Sequence, residues 1–431
     1  MKTMLYFKSG FIATILILTT TFVFAQNYET SKTVNKVKAV PEGVTLDISN
    51  HSGDIKFTIS NNNMVSIKTE VHVNAKNEDE AAILLKAVEN FEFELQGNSL
   101  VIDTRFYKNM NSINNKVKNI TLLNDDKISL KDFTINHEIS MPASANLRLE
   151  NKYSNVSLPS LRGETKLNLY SCKLNADDFN SDVEVEAKYS KIYSGNFNGE
   201  VNLELYDTDI EFEKANNMSI NSKYSSVEGE KAETLNLVSY DDKFHITKFT
   251  NLKLDAKYSD LVSDAVNDQV KLDLYDCNVS ISSAKFLRFS GKYSELKLGD
   301  VKTLEIGESF DNDLYLKKTQ TTTIGESKYS SYRLSSASKF EIAGYDDEVV
   351  IDKLNEDFAG ISFDCKYGKL KISSGSVPFK VDLLMKYGKA NFPDTFKPVT
   401  YIDKNSELEI KGGATGETIY IRGYDNQIDI R

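Results

Sequence analysis

The chain has 431 residues, 40% of them hydrophobic, with 22 Tyr, 23 Phe and no Trp, enough apolar material for a sizeable core. Acidic residues outnumber basic ones, 63 to 52, for a net charge of −11; that balance argues against nucleic acid and against electrostatic attraction to an anionic membrane. Cys172, Cys277 and Cys365 lack metal spacing such as C-x-x-C, and His51, His72, His137 and His245 are scattered singly, so they read as solvated or packed side chains rather than ligands.

Residues 1–25 read as a secretory signal peptide. Lys2 and Lys8 give a positive start, GFIATILILTTTFVF is an apolar core, and FAQ suggests cleavage after Ala25. The apolar run is short for a span of about 20 residues, which disfavours an uncleaved membrane anchor. No cysteine follows the cleavage point, as a lipid anchor would require, and no later segment is apolar enough to span a membrane. The expected mature chain is therefore exported and soluble, with 50 basic and 63 acidic residues and a net charge near −13.

Residues 26–136 are expected to form a small α+β elaboration. GVTLDISNHSGDIKFTI has the grammar of one coil, with Ser52 at its corner and Ile55 and Phe57 after it. NEDEAAILLKAVENF predicts an amphipathic helix, capped by Asn77 with Glu80 three residues on, and with Ala81, Leu84, Leu85 and Val88 on one face. FEFELQGNSLVIDT predicts two strands around Gly97-Asn98. The polar, asparagine-rich stretch 105–136 reads as an irregular excursion.

From 137 to 431 the chain repeats. Lys-Tyr-Ser occurs at 152–154, 188–190, 223–225, 257–259, 292–294 and 328–330, and returns as Lys-Tyr-Gly at 366–368 and 386–388. Between these sites lies a second series centred on Tyr-Asp. Aligning both by the apolar residues that follow puts the tyrosine of one motif at the same position as the aspartate of the other. That position falls at 153, 171, 189, 207, 224, 241, 258, 276, 293, 311, 329 and 346, in steps of 17 or 18 residues. A second column, Leu161, Phe179, Phe197, Ala215, Ala232, Phe249, Val266, Ala284, Val301, Thr319, Ala337 and Leu354, keeps the same steps. The series continues more loosely through Tyr367, Tyr387, Asn405 and Asp425.

Within a coil, apolar residues alternate with period two, as in VNLELYD, so the elements are strands. The parity flips after the motif, from Leu205 to Ile210 and Phe212, which marks a corner. A helix-free unit this short suits one turn of a parallel β-solenoid. Sixteen such coils at about 4.8 Å would form a rod roughly 75 Å long. Successive antiparallel hairpins, the rival all-β reading, would not match columns in every coil. The last coil is expected to end almost at Arg431, leaving no room for a sorting domain.

Stacking explains the alternation. Tyrosine alternates with aspartate (once serine, Ser171) at the corner, and lysine with an aromatic ring just before it, so like charges never adjoin. Adjacent carboxylates at that spacing would repel by roughly 3.5 kcal/mol at an effective dielectric of 20. Tyr–Asp hydrogen bonds and Lys–aromatic contacts are expected instead. Two residues before the corner, Asn151, Ala187, Ser222, Ala256, Gly291 and Ser327 alternate in size with Leu169, Leu205 and Leu274; Ser239, Ser309 and Gly344 break that rule.

HEISMPASANLRLENKYSNVSLPSLRGETKLNLYSCKL, residues 137–174, resembles bacterial putative-adhesin domains of the short-coil β-helix type, including the auto-transporter adhesin head domain. The shared features are a strand, Pro142, a short polar link, then coils of strand, small polar corner and strand. The resemblance extends over residues 37–431 and implies an exported β-helix. Its members often carry Gly near the corner, as Gly53, Gly368 and Gly388 do; the regular Tyr/Asp alternation departs from that pattern.

No catalytic, cofactor-binding or metal-binding residue is assigned. The aspartates at 207, 241, 276, 311 and 346 repeat every second coil, about 9–10 Å apart, rather than converging in a cleft. Asp125-Asp126, Asp241-Asp242 and Asp346-Asp347 read as solvated turns, not a calcium cage. TQTTTIG, 319–325, is a single threonine row rather than an ice-binding array. The reading is an exported, non-enzymatic structural or interaction protein of the cell envelope, with an envelope protein or a glycan as partner. The alternatives are a periplasmic component of an envelope-stress or signalling system and, less favoured, a β-helix polysaccharide-active enzyme.

The stacking can be tested at one corner. Tyr258→Asp would place a third carboxylate between Asp241 and Asp276, whereas Tyr258→Asn removes the ring without adding charge. The aspartate variant should melt lower at low salt, and the gap should narrow in about 1 M NaCl. Equal melting at every salt concentration would mean that these residues are not neighbours.

Overall fold

The computed structural model describes residues 28–113, 117–413 and 415–431; the expected leader lies outside them. Almost everything is strand, wound into stacked parallel coils of about 18 residues each. One column just before the corner shows the register: Leu203 pairs with Ile220, Ile220 with Leu237, Leu237 with Leu254, and Leu254 with Leu272, all in parallel. The turn column expected from Leu161 to Leu354 is likewise continuous, from Leu161↔Phe179 to Ala337↔Leu354, and each of its members is buried. Thr319 and Thr322 are buried too, so TQTTTIG turns hydroxyls inward rather than offering a threonine surface.

The corner works by backbone conformation. From Tyr153 to Tyr367 every corner residue is left-handed, with φ between 48° and 64°. This single residue turns the chain and reverses the in/out parity, and stacking continues through it: Tyr189 N–H reaches Tyr206 O at 3.0 Å, and Asp207 N–H reaches Lys223 O at 2.9 Å.

The parity change sends the next side chain inside. Asp242 and Asp347 are therefore not solvated turns: both are buried, while Asp241 and Asp346 before them are exposed. They belong to an internal polar column that includes Ser154, Cys172, Ser190, Thr208, Ser225, Ser259, Cys277, Ser294, Asn312 and Ser330. A side chain in this column accepts from the backbone N–H of the coil before it, as Asp242 Oδ1 does from Ser225 at 2.7 Å and Asn312 Oδ1 from Ser294 at 2.8 Å. The serines also donate to their own coil, Ser190 Oγ to Lys188 O at 2.8 Å. A buried polar group needs such partners.

The three exceptions to the size rule now have a cause. Ser239 Oγ donates to Asp242 Oδ2 at 2.7 Å, Ser309 Oγ accepts from Asn312 Nδ2 at 2.9 Å, and a Cβ on Gly344 would lie 2.1 Å from Asp347 Oδ2. Where the inner column carries a carboxylate or amide, the residue three before it supplies a hydroxyl or vacates the space. Leu169, Leu205 and Leu274 stand in coils whose inner residue is Cys172, Thr208 or Cys277.

At the amino-terminal end, β1 (Tyr28–Ala39), β2 (Thr45–His51), β3 (Asp54–Ser60) and β4 (Met64–Ala75) precede helix α1 (Glu78–Glu89). Strands β2 and β3 form the expected coil around Ser52 and stack on β10 (Asn146–Lys152) and β11 (Asn155–Leu158). Asn77 caps the helix, its Oδ1 accepting from Glu80 N at 2.9 Å; Ala81, Leu84 and Val88 are buried and Leu85 is partly so. Strands β5 (Glu92–Gln96) and β6 (Ser99–Asp103) pair across Gly97-Asn98, as expected.

Residues 105–136 are not irregular. Strands β7 (Tyr107–Ile113), β8 (Val117–Leu122) and β9 (Lys127–Pro142) form an antiparallel set. Its sparse apolar residues, among them Phe106, Ile120, Leu130 and Phe133, share a second core with α1. Strand β9 runs without a break through residues 136 and 137 and caps the first coil by pairing with β3.

The order of the last coils also differs from expectation. Strand Glu417–Tyr424 pairs in parallel with both Gly360–Lys366 and Phe379–Lys386, so the Asp425 coil sits between the Tyr367 and Tyr387 coils. Asn405 is no coil corner: with Ser406 it turns the hairpin Pro398–Lys404/Glu407–Gly412, which lies antiparallel on Phe379–Lys386. The steps from Asp346 to Tyr367 and from Tyr367 to Tyr387 are longer than those before them, and the second spans two layers because the Asp425 coil lies between.

Burial pushes the Asp347 carboxyl up to about 6 from 3.8. The folded state holds that proton more tightly than the unfolded chain, so the linked stabilisation is complete below the unfolded value and is lost as pH rises through 6. It amounts to about 3 kcal/mol across that window. Asn312 and Asn426 show that an amide fits this column, donating to Gly291 O at 2.7 Å and Cys365 O at 2.8 Å. Asp347→Asn should therefore flatten the fall in melting temperature between about pH 4 and 6.5; parallel curves for the two proteins would refute the assignment.

Candidate functional site

The conspicuous feature of the rod's exterior is one row of aromatic rings. It runs from Tyr153 through Tyr170, Tyr189 and Tyr206 to Tyr345, Tyr367, Tyr424 and Tyr387, taking one ring from each coil. Neighbouring centroids lie 5.2–5.9 Å apart with the planes crossed at 61–83°. In Lys-Tyr-Ser coils the ring comes from the left-handed corner; in Tyr-Asp coils it comes from the residue before it.

This corrects the expected contacts. Among the described residues no Tyr–Asp hydrogen bond and no lysine over a ring lies in the ladder; the cation–ring pairs are Lys36–Phe91, Lys118–Phe133 and Lys173–Tyr193 elsewhere. The alternation instead staggers successive rings sideways. Rings attached at one and the same position in successive coils lie face to face, as Phe179 and Phe197 do in the interior at 5.3 Å with planes 6° apart. In the ladder the shift of attachment by one residue goes with crossed planes at a similar separation. It also accounts for bulky tyrosine in a conformation that costs an L-residue roughly 1–2 kcal/mol, because each ring gains two aromatic contacts of about 0.5–1.5 kcal/mol.

Thirteen of the fifteen rings are more than a third exposed, among them Tyr153 at 57% and Tyr258 at 45%. Two of the lysines before the corner are tied back: Lys152 to Glu150 at 2.8 Å and Lys188 to Glu186 at 2.9 Å. The ladder is thus a continuous strip of ring edges and faces bordered by charge.

The other residues singled out in the sequence lie apart from it. Cys172 and Cys277 occupy the buried inner column and Cys365 an inward strand position. Burial raises the Cys277 and Cys365 thiols, against thiolate chemistry. His137 is buried, bonded through Nδ1 to Thr69 Oγ1 at 2.9 Å, and pushed down to about 4 by desolvation. His51 is half-buried and lowered, by desolvation first and then by Lys152; His72 and His245 are exposed. No group of three His, Cys, Asp or Glu among the described residues is arranged to hold a metal ion. The raised carboxyls of Asp242 and Asp347 face inward onto serines, not into a cleft.

No protein-family model matches the chain, and no curated protein sequence matches it. Two solved structures are similar to it. One is a "putative cell adhesion protein" from Clostridium sporogenes ATCC 15579, 11% identical, covering 93% of this chain and 99% of that one at a TM-score of 0.16. The other is a "putative adhesin" from Bacteroides fragilis NCTC 9343, 10% identical, covering 93% and 97% at 0.18. The strand registers themselves define the solenoid.

Four of the ladder hydroxyls should titrate late. Tyr189, Tyr224, Tyr258 and Tyr424 are raised, first by the desolvation their packed neighbours impose and then by the charge the adjacent tyrosines would carry. A raised folded value means that stability is full below the unfolded pKa and falls as pH climbs through the folded one. Part of the tyrosinate absorbance should therefore appear at higher pH than in denaturant, which broadens the folded titration, with melting temperature dropping in the same interval. Superimposable folded and denatured titrations would contradict a packed ladder.

Proposed function

We propose that this chain is an exported, non-enzymatic structural or interaction protein of adhesin-like type, presenting the rod as a repetitive binding surface in the cell envelope. The exposed aromatic ladder is the observation that carries the reading. Internal stability alone needs rings in contact; it does not need most of them more than a third open to solvent. Tyrosine combines a flat apolar face with a polar tip, which suits contacts with proteins and sugars. Export is supported by the amino-terminal leader pattern, with Lys2, Lys8 and the apolar run before Ala25. A non-catalytic role is supported by the inner carboxylates, whose raised pKa values come from burial in the fold, where their oxygens are taken up by serines rather than open to a cleft.

Protease treatment of intact cells, followed by detection of the full-length chain, tests the placement. Degradation in intact cells is expected for surface display. Protection until the outer membrane is opened would mean residence in the periplasm. Recovery with the cytoplasm, still carrying residues 1–25, would overturn export.

A further inference from the structure

The strip is not uniform along its length. Beside the ladder, over the coils with corners at Tyr258, Asp276, Tyr293, Asp311 and Tyr329, lies an open groove of about 630 Å³. One wall carries Lys257, Tyr275, Lys292, Phe310 and Lys328; the other carries Asp255, Asp273, Ser290, Glu308 and Glu326. The polar wall ends at both extremities, where the equivalent positions are Val238 and Ala343.

A local change in the strands coincides with this groove. Pairing passes from Phe289↔Ile306 to Gly291↔Ser309, so the Asp311 coil holds one extra residue. The Tyr329 coil keeps it, with Glu308 opposite Glu326, and the next coil loses it between Ile324 and Ser327. The inserted residues are Gly307 and Gly325, stacked so closely that a Cβ on Gly325 would meet Gly307 O at 3.2 Å. A bulge of this kind re-aims the side chains next to it, here Glu308 and Glu326.

The groove's charges are also unspent. In two of the earlier coils the lysine before the corner pairs with the glutamate two residues back, Lys152 with Glu150 and Lys188 with Glu186. Here Lys257, Lys292 and Lys328, and Asp255, Asp273, Glu308 and Glu326, make no ion pair among the described residues. Three ammonium groups against four carboxylates leave the groove nearly neutral while crowded with hydrogen-bonding groups. A polyanion or polycation gains little there, and a ligand rich in hydroxyls can bond to both signs.

We infer that this groove binds an extended, uncharged β-1,4-linked glycan laid parallel to the rod axis. Tyr275 and Phe310 are two coils apart, about 9.6 Å along the axis, and an extended β-1,4-linked chain presents equivalent sugar faces at every second unit, about one nanometre on. Each ring packs against the C–H face of a sugar, and the carboxylates and lysines between them take its hydroxyls. Four coil steps, roughly 19 Å, hold about four sugar units. This assignment rests on the reading of the strip as a binding surface and names what one section of it holds.

The test is calorimetric titration of the purified protein with cello- and chito-oligosaccharides of two to six units, beside maltohexaose and polygalacturonate. Affinity should rise up to about four units and then level off, with maltohexaose and polygalacturonate much weaker. Tyr275→Ala and Phe310→Ala should each weaken binding about tenfold. Tyr193→Ala, an exposed tyrosine away from the ladder, should leave it unchanged, and circular dichroism and melting should show all three variants folded. Because the chain has no tryptophan, tyrosine fluorescence gives a second reading of occupancy.

Equal binding of all ligands, or affinity indifferent to Tyr275 and Phe310, overturns the groove. If no oligosaccharide binds but labelled protein still coats envelope preparations, the glycan is wrong and the binding surface stands. If neither occurs, both fall. Release of new reducing ends would keep the glycan and overturn the non-catalytic reading.

Discussion

Everything in this molecule depends on one constraint: coils of nearly equal length must rise by the same small step while their backbones stay hydrogen-bonded to one another. The turn between strands therefore has to occur at one residue, with one handedness, in every coil. A left-handed corner meets that demand and keeps the ladder of N–H to C=O bonds unbroken through the turn. Its consequence is that each side chain is stacked on its counterparts, so a choice made once is faced again in every layer. Charge, size and polarity must be solved by column rather than by residue.

Two columns on either side of the corner show two different solutions. Outside, each layer of the ladder carries a ring whose point of attachment shifts back and forth by one residue, so neighbouring rings meet edge to face. Inside, polar groups are excluded from water and must be satisfied by the stack itself. Serine does so in every Lys-Tyr-Ser coil because one hydroxyl can accept from the layer before and donate to its own strand. The intervening coils accept cysteine or threonine beside a leucine three positions earlier, but asparagine or aspartate only where that earlier residue makes room or offers a hydroxyl. Asp242 with Ser222 and Ser239, and Asp347 with Ser327 and Gly344, are matched sets.

The repeat made the solenoid legible because matched columns recur at a fixed step, and the helix capped by Asn77 was legible from local chemistry. What escaped the sequence depends on lateral position. The alternation of Tyr153 with Ser171 or Tyr189 with Asp207 showed that like does not stack on like, but not that the ring of Tyr170 or Tyr206 fills the gap. Asp242 and Asp347 looked like turn residues because the parity change lies one residue earlier than the motif suggests; the small polar residues at the same position in the other coils were the available signal. Residues 105–136 looked irregular because their strands have one thinly apolar face and borrow a core from the helix. The groove beside Tyr275 and Phe310 needs the stacked bulges at Gly307 and Gly325, which no periodic reading distinguishes from noise.

The re-entrant end has a consequence for how the rod is completed. Strand Glu417–Tyr424 occupies a place between two strands that precede it in the chain, so the Tyr367 and Tyr387 coils cannot be joined by simple winding. Until it arrives, a slot one strand wide separates them, lined on both sides by unpaired peptide groups. Most of the rod can assemble in the order of the polypeptide, but its final layer closes like a latch, after the element that lies beyond it. A chain threaded across a membrane from its amino terminus would remain unfastened at this end until almost all of it had passed through.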